Sequence, residues 1–499
     1  MADRMLFNLP AATRAAFLQM PHRLGYTYSQ VSCIILPFFA FHTAGRVTDM
    51  PFPKLRTAER RIGIVGLYAS GKTVFLTSLI DHLRHHYPGE GFRLGRDSRV
   101  RIRKFTQMKP EDGWQRFPYE SARKRLVHGE QWPEKSTERM QFACNFERSD
   151  WYSKINLRIY DLPGERIADV PMAGRDFAEW SRMTLTRFRS DRDYEAQASE
   201  FLHLIEQPDE LTEAAVVRAY KRALAELALR YKGYVCPSSF LLDQRGSYAI
   251  HDSPENLISE RFVGLDQERQ FTPLPPGAAE SKPELYARFR ERYDAYRAEI
   301  AEPIARALKR CHGLIVLVDI PMLLAGGVGM YNDNKQMITG LLNALRPGQG
   351  RARALLTKMG EAFLPHQWRP SAITRLAFAA AKVDRVHPMD RDRVLHLLKR
   401  MVRKPAEDID GAKVGFWNCC AVKSTEAISD TERRLCAVLD DGESDEDRKY
   451  TVSTVPEDWP LTWEPGAYSF PRVRPKMPQR IDSPPRQHNL DRIFDFVMR

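Results

Sequence analysis

Apolar and polar positions along this chain follow two periods, and the switches between them outline strands and helices. Ile62, Ile64 and Val65 form a short apolar run of strand type, and beyond Gly71 the residues Phe75, Leu79 and Leu83 recur every fourth position, the spacing of a helix. Met140, Phe142, Cys144 and Phe146 alternate with polar neighbours; Arg148 to Tyr152 interrupt; Ile155, Leu157 and Ile159 alternate again. That pattern predicts a hairpin whose second strand spans 153–160. Gly313–Asp319, Leu376–Ala381 and Val414–Cys420 read as further strands. Leu285, Phe289, Tyr293, Tyr296, Ile300, Ile304 and Leu308 step by three and four and predict a long helix; Leu202–Tyr231 predicts another helical run, broken near Pro208.

The chemistry sits where the periods change. Between the first strand and the first helix lies Gly66-x-x-x-x-Gly71-Lys72-Thr73, the pattern of a phosphate-binding loop. Two glycines permit a tight turn whose N–H groups point inward, and the helix start adds its positive dipole end. Backbone amides from Gly66 through Ala69, Ser70, Gly71 and Val74 are the expected phosphate donors. Lys72 reaches the β- and γ-phosphates, and the Thr73 hydroxyl ligates Mg²⁺.

The strand over 153–160 ends in Asp161-Leu-Pro-Gly164-Glu165. This is an Asp-x-x-Gly turn, in which Asp161 holds Mg²⁺ through water and the Gly164 N–H senses the γ-phosphate. Glu165 stands where Ras-like GTPases carry the glutamine that orients the attacking water, so it is the candidate for that role or for a base. An antiparallel strand before the Mg²⁺ strand is the Ras-like arrangement. The threonine that closes over Mg²⁺ is assigned to Thr137, with Ser136 and Thr106 as alternatives.

Base selection is read from Lys382-Val-Asp384 at the end of another strand. Asp384 accepts from the guanine edge and the Lys382 stem packs on the ring, while Ala381 replaces the usual Asn or Thr. Ala421-Val422-Lys423-Ser424 resembles the loop whose backbone touches guanine O6. The expected cofactors are GTP/GDP and Mg²⁺. An adenine-directed ATPase and a nucleotide-bound scaffold with negligible hydrolysis are the alternatives. No arginine finger is assigned, and Ala69 is not the Asn of potassium-activated GTPases; slow intrinsic hydrolysis follows, with a partner or self-association supplying any missing cation.

Length and charge refine this picture. From Lys72 to Asp161, and from Asp161 to Lys382, the chain far exceeds the roughly 30 residues of a strand–helix–strand step. The 499 residues are therefore divided into an N-terminal extension (1–59), a first core half (60–180), a largely helical insertion (181–312), a second core half (313–450) and a Pro-rich C-terminal segment with a short final helix (451–499). The fold class is an α/β P-loop NTPase: a mostly parallel sheet with one antiparallel edge hairpin, plus the helical insertion. Net charge is +12. The clusters Arg96, Arg99, Arg101, Arg103, Lys104 and Arg472, Arg474, Lys476, Arg480, Arg486 are read as solvated faces rather than a nucleic-acid surface. Val31–Phe41 is apolar but only 11 residues long, against the roughly 20 needed to span a membrane; residues 1–49 read as a loose extension, or as translation from a start upstream of Met50. Seven cysteines with no Cys-x-x-Cys pair favour a reducing compartment, and Cys419 and Cys420 read as buried. His82, His85 and His86 read as helix-end residues, not metal ligands.

Taken together the motifs resemble the YcjX-like P-loop NTPases of Gram-negative bacteria. The residues carrying the likeness are Gly66–Ile80, Gln131–Thr137, Tyr160–Glu165, Ile315–Asp319, Ala381–Asp384 and Pro456–Pro460, with Trp132-Pro133 and Trp459-Pro460 the family-specific elements. The resemblance implies a cytoplasmic GTP- or GDP-binding protein with a Ras-like core. It also implies a link to envelope stress, a companion inner-membrane protein and peripheral contact with that membrane.

Overall fold

The structure, a computed structural model, describes residues 56–499 apart from 68, 87–91, 95–99, 129–130, 135–137, 150–152, 232–252, 256–257, 259–260, 346–372, 408, 410, 479 and 481. The apolar run Val31–Phe41, Arg96, Arg99 and the candidate Mg²⁺ ligand Thr137, with its alternative Ser136, lie outside the described residues.

Among the described residues eight strands form the main sheet. β1 (Arg56–Gly66), β5 (Ser153–Asp161), β6 (Gly313–Val318), β7 (Arg375–Ala380) and β8 (Lys413–Asn418) pair in parallel, in the order β5-β1-β6-β7-β8. β4 (Met140–Arg148) joins β5 antiparallel as the expected hairpin. β2 (Ile102–Gln107) then extends the sheet antiparallel beyond β4, and the two-residue β3 (Gln115–Arg116) pairs with β4. Arg101, Arg103 and Lys104, at the start of β2, are exposed. β1 begins at Arg56, four positions before the boundary drawn at residue 60, because Arg56–Arg61 pair with Ser153–Arg158.

Both faces of the sheet are covered, as parallel strands require. Ile62, Ile64, Ile315, Leu317, Ala377 and Ala379 point to one face, beneath helix α1 (Lys72–Arg84) and the C-terminal helix Leu490–Met498. Val65, Leu314, Val316, Val318, Leu376, Phe378 and Ala380 point to the other. There the core continues without a break into the helices between residues 177 and 309, and into Ile320–Leu345 and Arg391–Glu407.

Within those helices the predicted stripe over 285–308 is interrupted. Pro283–Tyr296 passes through a π-helical turn, Arg297–Ala301, into Glu302–Lys309. The wide turn advances the buried face by one residue, so Ala301 is fully buried and Ile300 only half so. Cys419 and Cys420 are buried. Among the described residues no helix is long and apolar enough to cross a membrane.

Candidate functional site

The loop after β1 is shaped by its backbone. Ala69 and Gly71 take positive φ, 57° and 91°, and such left-handed residues make a concave nest of N–H groups. Gly66 is required by close approach: a Cβ there would stand 2.4 Å from Ser70 Oγ and 2.8 Å from the Leu317 carbonyl. Gly71 is the N-cap of α1 and brings no capping side chain to compete with an anion for the first N–H groups of this 13-residue helix. Lys72 is buried, its Nζ donating to the carbonyls of Gly66 at 2.9 Å and Leu67 at 3.3 Å. Beside the loop a cavity of about 30 Å³, lined by Gly66, Ser70, Asp319 and Met330 among others, has room for water only.

Register places the acidic turn next to this loop. Asp161 pairs with Ile64, two residues before Gly66, and its side chain is fully buried. Thr73 is half-buried in the first turn of α1, and its carbonyl accepts from Thr77 Oγ1 at 2.8 Å. A carboxylate and a hydroxyl at adjacent element ends are the hard oxygen donors a Mg²⁺ ion takes. Thr106 lies within β2, opposite Asn145. Gly164 is buried and starts the short helix Gly164–Ile167, whose backbone includes Glu165. From it Arg166 Nη1 donates to Tyr296 Oη at 2.6 Å, and that hydroxyl donates to Asp169 Oδ2 at 2.6 Å. The turn is thereby tied to the last residue before the π-helical segment.

The Lys382–Asp384 turn closes the other side. Lys382 has φ 56°, and its Nζ donates to the Ala69 carbonyl at 2.7 Å while pairing with Asp319 Oδ2 at 2.8 Å. Asp384 is buried, and Oδ2 accepts from the Ser424 N–H at 3.1 Å. Burial pushes its carboxyl pKa up, opposed by the Ser424 N–H and by Arg385. Burial also opposes ionisation of Asp319, but Lys382 and Arg385 outweigh it and hold its pKa below the usual carboxylate range. The 421–425 loop is fixed from three sides. Ala421 O accepts from Ser78 Oγ at 2.7 Å, Val422 packs with Val74, Leu126, Val127 and Trp132, and the Lys423 N–H donates to Arg486 O at 2.7 Å.

Thus Lys72, Ala69, Lys382, Asp384 and the 422–424 segment converge, and Asp161 adjoins them. Asp319 and Arg385 belong to the same network and are not among the candidates drawn from the sequence. Their sequence signals are an aspartate ending an apolar run, as Asp161 does, within the Ile315–Asp319 stretch that carries the family likeness, and an arginine directly after Asp384. The histidines at the end of α1 have other tasks: His82 stacks on Phe92 at 4.7 Å and bonds Pro485 O at 3.1 Å, and Nδ1 of His85, just past the helix, meets Asp81 at 2.7 Å.

A phosphate-loop strand at the centre of a parallel sheet, with neighbours added first on one side and then on the other, defines an α/β P-loop fold, and the antiparallel β4 makes it Ras-like in order. The chain belongs to the YcjX-like family, DUF463, whose model matches residues 60–499. It is 25% identical to the Ras-like GTPase YcjX of Escherichia coli (strain K12) over 475 residues, 88% of this chain and 95% of that protein. It is 24% identical over 405 residues to the Ras-like GTPase YcjX of Shewanella oneidensis (strain MR-1), 74% of this chain and 78% of that protein.

Proposed function

We propose that this protein is a Mg²⁺-dependent GTPase that acts as a switch and hydrolyses GTP slowly on its own. Lys72 and the loop amides of Gly66, Ala69, Ser70, Gly71, Thr73 and Val74 hold the phosphates. Thr73 and Thr137 frame the metal and Asp161 holds it through water; the bound ion offsets phosphate charge. Gly164 senses the terminal phosphate, and Glu165 orients water. Lys382 lies along the guanine ring, Asp384 accepts from its edge, and the backbone of Val422 and Lys423 meets its carbonyl oxygen.

The observation that carries this reading is the bond from Lys382 Nζ to Ala69 O at 2.7 Å. It joins a base-reading turn to a phosphate loop, so that one ligand with both parts is served by one site. The names of the two relatives support the same activity. On the family likeness we add a cytoplasmic setting at the inner membrane, beside a companion membrane protein, in envelope stress. Nucleotide released by denaturing the purified protein tests the core of the proposal: GDP or GTP is expected, and stoichiometric adenine nucleotide would overturn it.

A further inference from the structure

The turn that offers Lys382 and Asp384 is strained at Lys382. Lys382 holds a left-handed backbone, φ 56°, a region that a side-chain-bearing residue occupies only at an energetic cost. Position 381, where a guanine-reading turn carries Asn or Thr, has only the methyl group of alanine. Such a conformation persists only if its surroundings over-determine it.

Close by, the Val383 N–H donates to Cys419 O at 3.2 Å, the Arg385 N–H to Lys382 O at 3.1 Å and Thr425 Oγ1 to Asp384 O at 2.5 Å; further support comes from Asp319 and from the C-terminal stretch. Asp319, just past β6, pairs with Lys382 Nζ at 2.8 Å and faces Arg385 Nη1 at 3.9 Å. Arg385 is buried, with Nε donating to Pro471 O at 3.0 Å and Nη2 donating to Phe470 O. Phe470 is itself anchored in the core, so these acceptors are fixed. The same C-terminal stretch touches the base half three more times. Lys476 N–H donates to Ser424 Oγ at 3.4 Å, Arg486 O accepts from Lys423, and Cys420 and His488 exchange backbone bonds at 3.2 and 2.8 Å.

We propose that Arg385 is a positioning residue for base recognition: held between Asp319 and the carbonyls of Phe470 and Pro471, it fixes the Lys382–Asp384 turn in place of the side chain missing at 381. Arginine suits the task because its planar fork serves several acceptors at once and stays charged when buried. The C-terminal segment is then part of the base site rather than a tail. The inference rests on the guanine reading above.

The test uses the full chain and competition of GDP and ADP against one fluorescent GDP analogue, with near-UV circular dichroism as the control for folding. Arg385→Gln is expected to weaken GDP about tenfold or more and to change ADP less than about twofold. Arg385→Lys keeps the charge but cannot reach all three acceptors, and is expected to fall between Gln and the parent. Adding Ala381→Asn to Arg385→Gln is expected to recover GDP affinity, which a merely structural role would not produce. Unchanged GDP preference in both folded Arg385 variants, or equal loss for GDP and ADP, overturns the inference while leaving the guanine reading intact. Absence of GDP preference in the parent protein overturns the guanine reading itself, and this inference with it.

Discussion

Lys382 Nζ donates to the carbonyl oxygen of Ala69 at 2.7 Å, across 313 positions of sequence. Its stem passes Gly71, with Cε 3.7 Å from where a Cβ would stand. One cation therefore links a left-handed phosphate loop to the turn that presents Asp384. Changes at either end are expected to be felt by one ligand.

Removing the loop lysine separates binding from folding. Lys72→Ala deletes a buried ammonium held by the Gly66 and Leu67 carbonyls. Triphosphate affinity is expected to fall about 100-fold or more, because a charge-assisted contact to phosphate goes with it. Isothermal titration with a non-hydrolysable GTP analogue checks this. Binding within about threefold of the parent would count against it.

Asp384→Asn exchanges an acceptor for a donor at the proposed base contact. The variant is expected to lose GDP affinity and to gain binding of xanthosine diphosphate, whose edge presents an acceptor there. Competition against a fluorescent nucleotide measures both. Because burial raises the Asp384 pKa, parent GDP affinity is also expected to start falling with acid above the ordinary aspartate range.

Glu165 and Tyr296 test the proposed switch. Glu165→Ala is expected to slow single-turnover GTP hydrolysis about tenfold or more at unchanged GTP affinity. Tyr296→Phe removes the hydroxyl that bridges Arg166 and Asp169, at a cost of about 1–3 kcal/mol in stability. In the parent, hydrogen exchange over 283–309 is expected to differ between GDP and a GTP analogue; in Tyr296→Phe that difference is expected to shrink. Equal differences in both proteins would show that the insertion does not read the turn through Tyr296.

His82 sets a pH limit on stability. Burial is the main cause lowering its pKa from 6.5 to about 4 in the folded protein. Above about pH 6.5 the ring is neutral in both states and has no effect on the balance between them. Between about 6.5 and 4 the unfolded chain takes up the proton and the folded one does not, so acid favours unfolding, by on the order of 3 kcal/mol in full. His82→Gln, which keeps a donor for Pro485 O, is expected to flatten that part of the curve in urea unfolding between about pH 7 and about pH 5. An unchanged pH slope would refute it.

Much of this was legible from the chain. The β4–β5 hairpin shows because Phe142, Cys144, Phe146, Ile155, Leu157 and Ile159 all face one core with period two. The phosphate-loop pattern shows because its glycines are fixed largely within the loop, Gly71 by its positive φ and Gly66 by the approach of Ser70, with Leu317 O of β6 a distant neighbour of Gly66. What did not show depends on distant partners. Arg385 looks like any surface arginine until Phe470 and Pro471, 85 and 86 positions on, supply its acceptors. The π-helical turn leaves the stripe of Tyr296, Ile300 and Ile304 outwardly unbroken in the sequence, since tertiary packing chooses Ala301 over Ile300. Trp132 and Trp459, read from the sequence as family-specific, have a physical role in the structure: their indole N–H groups donate to Val473 O at 2.8 Å and Leu397 O at 2.9 Å, pinning the C-terminal segment to the core.

That one site reads both phosphate and guanine is put to its plainest test by letting GTP and ATP compete for a single fluorescent analogue in the presence of Mg²⁺. GTP is expected to displace the probe at concentrations about 100-fold lower than ATP. Equal displacement, or tighter binding of ATP, would contradict a guanine-reading site.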